Sequence, residues 1–88
     1  MEAEDPYFTF PCDFPIKAMG LADESFDSVV VSLVRKHCPD LHEGAVHARL
    51  SNGGRYMSVT VTIQATSRAQ LDAIYMDLTA DKRILVAL

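Results

Sequence analysis

The sequence is short of positive charge: eight lysines and arginines stand against twelve acids, for a formal charge of −4. A chain with that balance is not built to coat a phosphate backbone, which calls for a positive patch. Cysteine is scarce too. Cys12 and Cys38 lie far apart, without the close pairs of a zinc site or the framework of a disulfide scaffold. Nothing in their spacing argues for a bridge, so the expectation is reduced thiols and a cytoplasmic protein. Met1-Glu2-Ala3-Glu4-Asp5 is acidic where a signal peptide needs a basic start. No apolar run approaches the ~20 residues of a membrane span, and no membrane partner is expected.

What is present suffices for one core. A hydrophobic fraction of 49% over 88 residues fits a single small domain that needs neither metal nor disulfide for stability. Residues 1–11 hold three acids, Pro6 and Pro11 around Tyr7, Phe8 and Phe10. They read as an extended or disordered lead to one domain over residues 12–88.

The strongest pattern runs from Tyr56 to Ala65. Met57, Val59, Val61, Ile63 and Ala65 alternate with Tyr56, Ser58, Thr60, Thr62 and Gln64. A period of two with β-branched residues on both faces is a strand covered on one side only. Asn52-Gly53-Gly54 before it is a hairpin turn, preceded by a shorter alternation over Ala45 to Ser51. An earlier strand spans Asp13 to Met19, with Phe14, Ile16 and Ala18 inward and Lys17 and Met19 outward, ended by Gly20. Asp23 is the expected cap of a first helix. Phe26, Val29, Val30, Leu33, Val34 and His37 form its apolar stripe, and Pro39 stops it. A second helix, Arg68 to about Thr79, starts at a Ser67/Gln70 capping box and carries Leu71, Ile74, Tyr75 and Leu78 inward. Arg83 to Leu88 reads as a last strand.

The order strand, helix, strand, strand, helix, strand is a ferredoxin-like βαββαβ sandwich of the α+β class. Both helices have one apolar stripe, so both cover the same face of a four-stranded antiparallel sheet. Right-handed crossovers give the strand order 4132, with strands one and three central. The other face is left bare, with Lys17, Met19, Tyr56, Ser58, Thr60 and Thr62 on its central strands.

Chemistry is thinly represented. His37, Cys38, His42 and His47 are the nearest approach to a metal set, but a proline stop and a strand start fix no rigid spacing among them. No metal or other cofactor is expected. A Cys38 nucleophile would need an oriented base and an oxyanion site that the sequence does not display. Asn52-Gly53-Gly54 lacks the Lys and Ser/Thr of a phosphate loop and lies between strands. RNA-binding domains of this topology stack bases on aromatic residues of the central strands. Here Tyr56 stands alone in its row, so no nucleic acid is expected. Uncharged Ser and Thr on the bare face bury at lower cost than Lys or Glu. Ile84-Leu85-Val86 is an apolar edge that invites strand pairing. Both features allow a homodimer or small oligomer.

With Lys17-x-Met19-Gly20, Ser51-x-x-Gly54-x-Tyr56-x-Ser58-Val59 and the closing Val86-Ala87-Leu88 in place, the chain resembles the small bacterial YbeD-like family, sometimes labelled lipoate regulatory. The resemblance runs from about Phe10 to Leu88. It implies a fold similar to ACT-type regulatory domains, which bind small ligands and pair through their sheets, and it implies a link to lipoate metabolism. No catalytic residues are established for the family, so the expectation is not an enzyme but a non-catalytic regulatory or ligand-sensing domain. By analogy with ACT domains a small-molecule effector would sit at Gly20, Leu21 and Asp23. That turn keeps the glycine of the ACT pattern but not its acid and Pro-Gly. The alternative is a protein–protein adaptor that uses the bare sheet face or the edge strands.

Overall fold

A computed structural model describes residues 9–88 of the chain. The expected lead, residues 1–8 of it, lies outside the described residues. Phe10, its last aromatic, is half-buried against the core.

The elements are β1 (Cys12–Leu21), α1 (Phe26–Arg35), a 3₁₀ turn (Glu43–Ala45), β2 (Val46–Leu50), β3 (Tyr56–Ala65), α2 (Arg68–Ala80) and β4 (Val86–Ala87). They form one sheet in the order β2-β3-β1-β4, antiparallel at every pairing. This is the expected ferredoxin-like arrangement read from the other edge. The period-two stretch is β3 over the expected residues. Gly53 and Gly54 make the hairpin turn, with φ of 88° and 73°, a region other residues rarely visit.

β1 pairs with β3 along its full length, Cys12 opposite Ala65 through Leu21 opposite Tyr56. The flanking strands are far shorter. β2 spans Val46 to Leu50 against Val61 to Met57. β4 pairs Ala18 with Ala87 and Met19 with Val86, extended by reciprocal amide bonds between Lys17 and Leu88 at 2.9 and 2.7 Å. The sheet is therefore four strands wide at the hairpin end and two strands wide at the other. Pro15 is tolerated in a central strand for this reason. Lys17 and Met19 turn their backbone groups toward β4, so Pro15 faces the same side, beyond the last residue of β4, and no ladder bond is lost.

The core lies between the helices and one sheet face. Ile16 and Ala18 of β1 and Val59, Val61, Ile63 and Ala65 of β3 meet Phe26, Val30 and Val34 of α1 and Leu71, Ile74 and Leu78 of α2. Burying a Val, Leu, Ile or Phe side chain stabilises by roughly 1.5–3 kcal/mol. Ile84 closes the core beside β4. On the helix side of β2, Val46 packs against the core edge, while Ala48 and Leu50 are exposed.

Several local expectations are corrected. Gly20 does not end β1; it is a buried residue within the strand. A Cβ there would collide with the Arg83 carbonyl oxygen and the Phe26 ring, so the glycine serves close packing and not a turn. Asp23 does not cap α1 directly. Its Oδ1 accepts from the Ser25 N–H and hydroxyl, both at 2.8 Å, and its carbonyl accepts from the Phe26 N–H. The helix begins two residues later than Asp23 would set it, with Ser25 as its N-cap. It also ends at Arg35, short of Pro39, and tightens as the His37 and Cys38 amides both donate to the Val34 carbonyl. Ser67 caps α2 as expected, and only the return bond of the capping box is shifted, by one residue to Thr66. Ser67 Oγ accepts from the Gln70 N–H at 3.1 Å, while Gln70 Oε1 reaches back to the Thr66 N–H at 2.8 Å. The last strand is two residues long and not six: Ile84 turns inward and only Val86 and Ala87 pair regularly.

Candidate functional site

The face of the sheet opposite the helices is covered by no described residue. Ladder register orders it into rows across the strands. His47, Thr60, Lys17 and Leu88 form one row, and Arg49, Ser58, Met19 and Val86 the next. Tyr56 and Leu21 form a third toward the hairpin, and Thr62 with Pro15 a fourth toward the narrow end. The six face residues singled out from sequence, Lys17, Met19, Tyr56, Ser58, Thr60 and Thr62, are thereby neighbours on one surface. Sequence reasoning missed the rest of that surface: Leu21, His47, Arg49, Arg55, Val86 and Leu88. The alternation of β2 placed Arg49 and His47 on one side, but only register shows which side of the sheet that is.

The face is apolar and cationic together. Leu21 is 55% exposed, Val86 44% and Leu88 67%. Lys17 and Arg49 flank these residues, and the Arg55 guanidinium lies 5.5 Å from the centroid of the Tyr56 ring, within cation–π range. Met19, Arg49, Asn52, Tyr56 and Ser58 line a shallow hollow of about 280 Å³ at the hairpin end.

The proposed effector residues are arranged differently. Gly20 is buried beneath Phe26 and the Arg83 carbonyl. Leu21 projects from the open face. Asp23 holds Ser25, whose amide and hydroxyl lower its pKa. The three share a stretch of chain but not a concave surface.

A larger hollow, about 690 Å³, lies at the narrow end between β3 and the segment after α1. His37, Cys38, His42, Gln64 and Gln70 are among its walls. Gln70 ties this corner together, its Nε2 donating to the His37 carbonyl at 3.1 Å and to Cys38 Sγ at 3.3 Å. His37 Nε2 meets Asp77 Oδ2 at 2.7 Å, joining the end of α1 to α2. Burial pushes the Cys38 thiol up, away from the thiolate that a nucleophile or metal ligand requires. His37 is turned to Asp77 and not to Cys38. His47 lies on the open face, away from the other three residues of the candidate metal set. No group of three or more metal-ligating side chains converges among the described residues, and no helix is long and apolar enough to cross a membrane.

Comparison with known proteins bears on the whole chain. A UPF0250 protein of Chromobacterium violaceum is 47% identical over 81 residues, covering 92% of this chain and 91% of that protein. A UPF0250 protein of Azotobacter vinelandii is 41% identical over 88 residues, covering 99% and 96%. Among solved structures, the solution structure of protein HP0495 from H. pylori matches with a TM-score of 0.72, covering 99% of this chain and 91% of that one. At 11% identity that likeness speaks for the fold alone. Residues 5–88 match the family described as a protein of unknown function, DUF493, and the chain belongs to this family, the UPF0250 or YbeD-like proteins.

Proposed function

We propose that the chain is a non-catalytic binding module that regulates a partner protein through contact with the open face of its sheet. The observation that carries this reading is the composition of that face. Leu21, Tyr56, Val86 and Leu88 are exposed on a surface whose centre is Ser58 and Thr60. Contiguous exposed apolar groups on a small domain mark sites of association more often than solvated surface. Support for a non-catalytic role comes from Cys38, whose burial works against reactivity. Free Cys12 and Cys38 support a reducing compartment, the cytoplasm.

A photoreactive residue placed at Thr60, at the centre of the face, tests the reading against one placed at exposed Met76 on α2. A protein adduct is expected from Thr60 and not from Met76. Equal yields from the two positions, or none from Thr60, overturn it.

A second reading is a ligand-sensing domain with the lipoate link that the family resemblance implies. The hollow beside Gln70 favours it, being within the size range of small-molecule sites. Thermal shift with lipoate, octanoate and amino acids is the test, and stabilisation by one of them that is lost in Gln70→Ala is the expected result. Self-association belongs to the same set of proposals. Its natural route is edge pairing through β2 or β4, since two open faces would oppose like charges.

A further inference from the structure

We infer that the open face takes an acidic protein segment, with an apolar side chain of that segment seated in the hollow between Met19 and Tyr56. The inference rests on the open-face reading and adds the chemistry of the partner. The chain carries a charge of −4, yet the charges of its described residues are sorted. Lys17, Arg49 and Arg55 lie on or at the rim of the face, while among the described residues its single acidic side chain is Asp13, two rows from Lys17 at the narrow end. The other described acids lie on the helices and the loops that join them. Among the described residues, the acidic side chains other than Asp13 are thus gathered away from this face, and Lys17, Arg49 and Arg55 remain on it or at its rim.

The side-chain cations of this face form no ion pair with an acidic side chain. Arg68 pairs with Asp72 and Arg83 with Asp81, but the Lys17, Arg49 and Arg55 side chains meet no Asp or Glu among the described residues. Arg55 stacks on Tyr56 instead. Unpaired cations around an apolar centre match the layout of an interface with an acidic partner, in which apolar contact supplies affinity and rim charges supply orientation and association rate. The hollow of about 280 Å³ has Met19 and the Tyr56 ring as apolar walls and Arg49 at its side. It is the size of one leucine or phenylalanine side chain with room to spare, and a carboxylate next to that side chain would fall on Arg49 or Arg55. Nucleic acid fits this surface less well. Three cations give little counterion release, and Leu21, Val86 and Leu88 offer no flat ring on which to stack a base.

The test is a chemical-shift titration of the whole protein at low salt with a short peptide that alternates glutamate with leucine and phenylalanine. Shifts are expected at Met19, Arg49, Tyr56 and Ser58. The Lys17→Glu/Arg49→Glu/Arg55→Glu variant should bind roughly tenfold more weakly or worse, since each charge acts near the surface. Ser58→Trp, which fills the hollow, should block binding without changing the charge. If a peptide with glutamines in place of the glutamates binds the face as tightly, the acidic partner is wrong and the open-face reading survives. If no face residue shifts with either peptide, both fall. Phosphatidylglycerol vesicles or a single-stranded oligonucleotide that shift the same residues at lower concentration than the peptide overturn the assignment to a protein segment.

Discussion

Gly20 shows how a single residue can carry a requirement that its letter does not reveal. Glycine after an alternating run reads as a turn, yet its neighbours here are a backbone carbonyl and a buried ring. The carbonyl belongs to Arg83, in the loop between α2 and β4, and no local pattern in the sequence announces it. Gly20→Ala is expected to destabilise by about 1–3 kcal/mol, because the carbonyl cannot rotate aside as a flexible side chain would. Gly44→Ala meets nothing within 4 Å and should stay within about 0.5 kcal/mol. Urea denaturation of the two variants checks both figures, and equal stabilities would refute the packing argument. Cys38 makes a second expectation at this scale. Its thiol is pushed up by burial, and alkylation requires the thiolate. In a Cys12→Ser background, labelling by iodoacetamide near neutral pH should be slower than that of a free cysteine and should accelerate only at alkaline pH. Rapid labelling at neutral pH would return Cys38 to consideration as a nucleophile.

Among the elements, β3 and α2 were legible in the sequence, whereas β4 was legible as a last strand but not in its length. β3 announces itself by ten residues of unbroken alternation. α2 has its Ser67 cap and its Leu71, Ile74 and Leu78 stripe. β4 has neither signal, because Ile84 contributes to the core from a turn and only Val86 and Ala87 pair regularly. What holds this end in place is the turn before it. Asp81 Oδ1 accepts from the Arg83 amide at 2.9 Å and from Nε at 3.0 Å, and Oδ2 from Nη2 at 2.7 Å. Those bonds to Arg83 lower the carboxyl pKa from 3.8 to about 2. A carboxyl with a depressed folded pKa adds stability that is fully present above its unfolded value and is lost as pH falls through the folded one. The turn should therefore be complete above about pH 4 and loosen as pH falls toward about 2. Both groups are solvent-screened, so the effect is local and not global. Asp81→Asn should reproduce it at neutral pH as faster amide exchange at Leu85 and Leu88, whose N–H groups bond to Met19 and Lys17. Unchanged exchange at those two amides would mean that β4 is held by Ile84 alone.

At the scale of the whole molecule, the open face is where reading the sequence stopped short. The row Tyr56, Ser58, Thr60, Thr62 was visible and looks neutral, because β3 contributes no charge to it. The cations come from β1, β2 and the hairpin turn, and the exposed leucine and valine from β1 and the chain end. Register brings them together, and register is set by the core on the far side of the sheet. The sorted charge has a consequence for self-association. Two open faces brought together would set Lys17, Arg49 and Arg55 of one copy against those of the other, with Leu21, Val86 and Leu88 available to pair once that repulsion is screened. The Debye length falls from about 30 Å near 0.01 M salt to about 3 Å near 1 M. Association through the faces should therefore be absent at low salt and grow as salt is raised, whereas pairing of β2 or β4 edges through backbone bonds should change little. Sedimentation velocity across that range separates the two. Leu88→Glu, which places a carboxylate in the apolar part of the face, should abolish the salt-induced dimer and leave an edge-paired one intact. A dimer that is unchanged across the salt range and indifferent to Leu88→Glu would assign self-association to the edges and leave the open face to another protein.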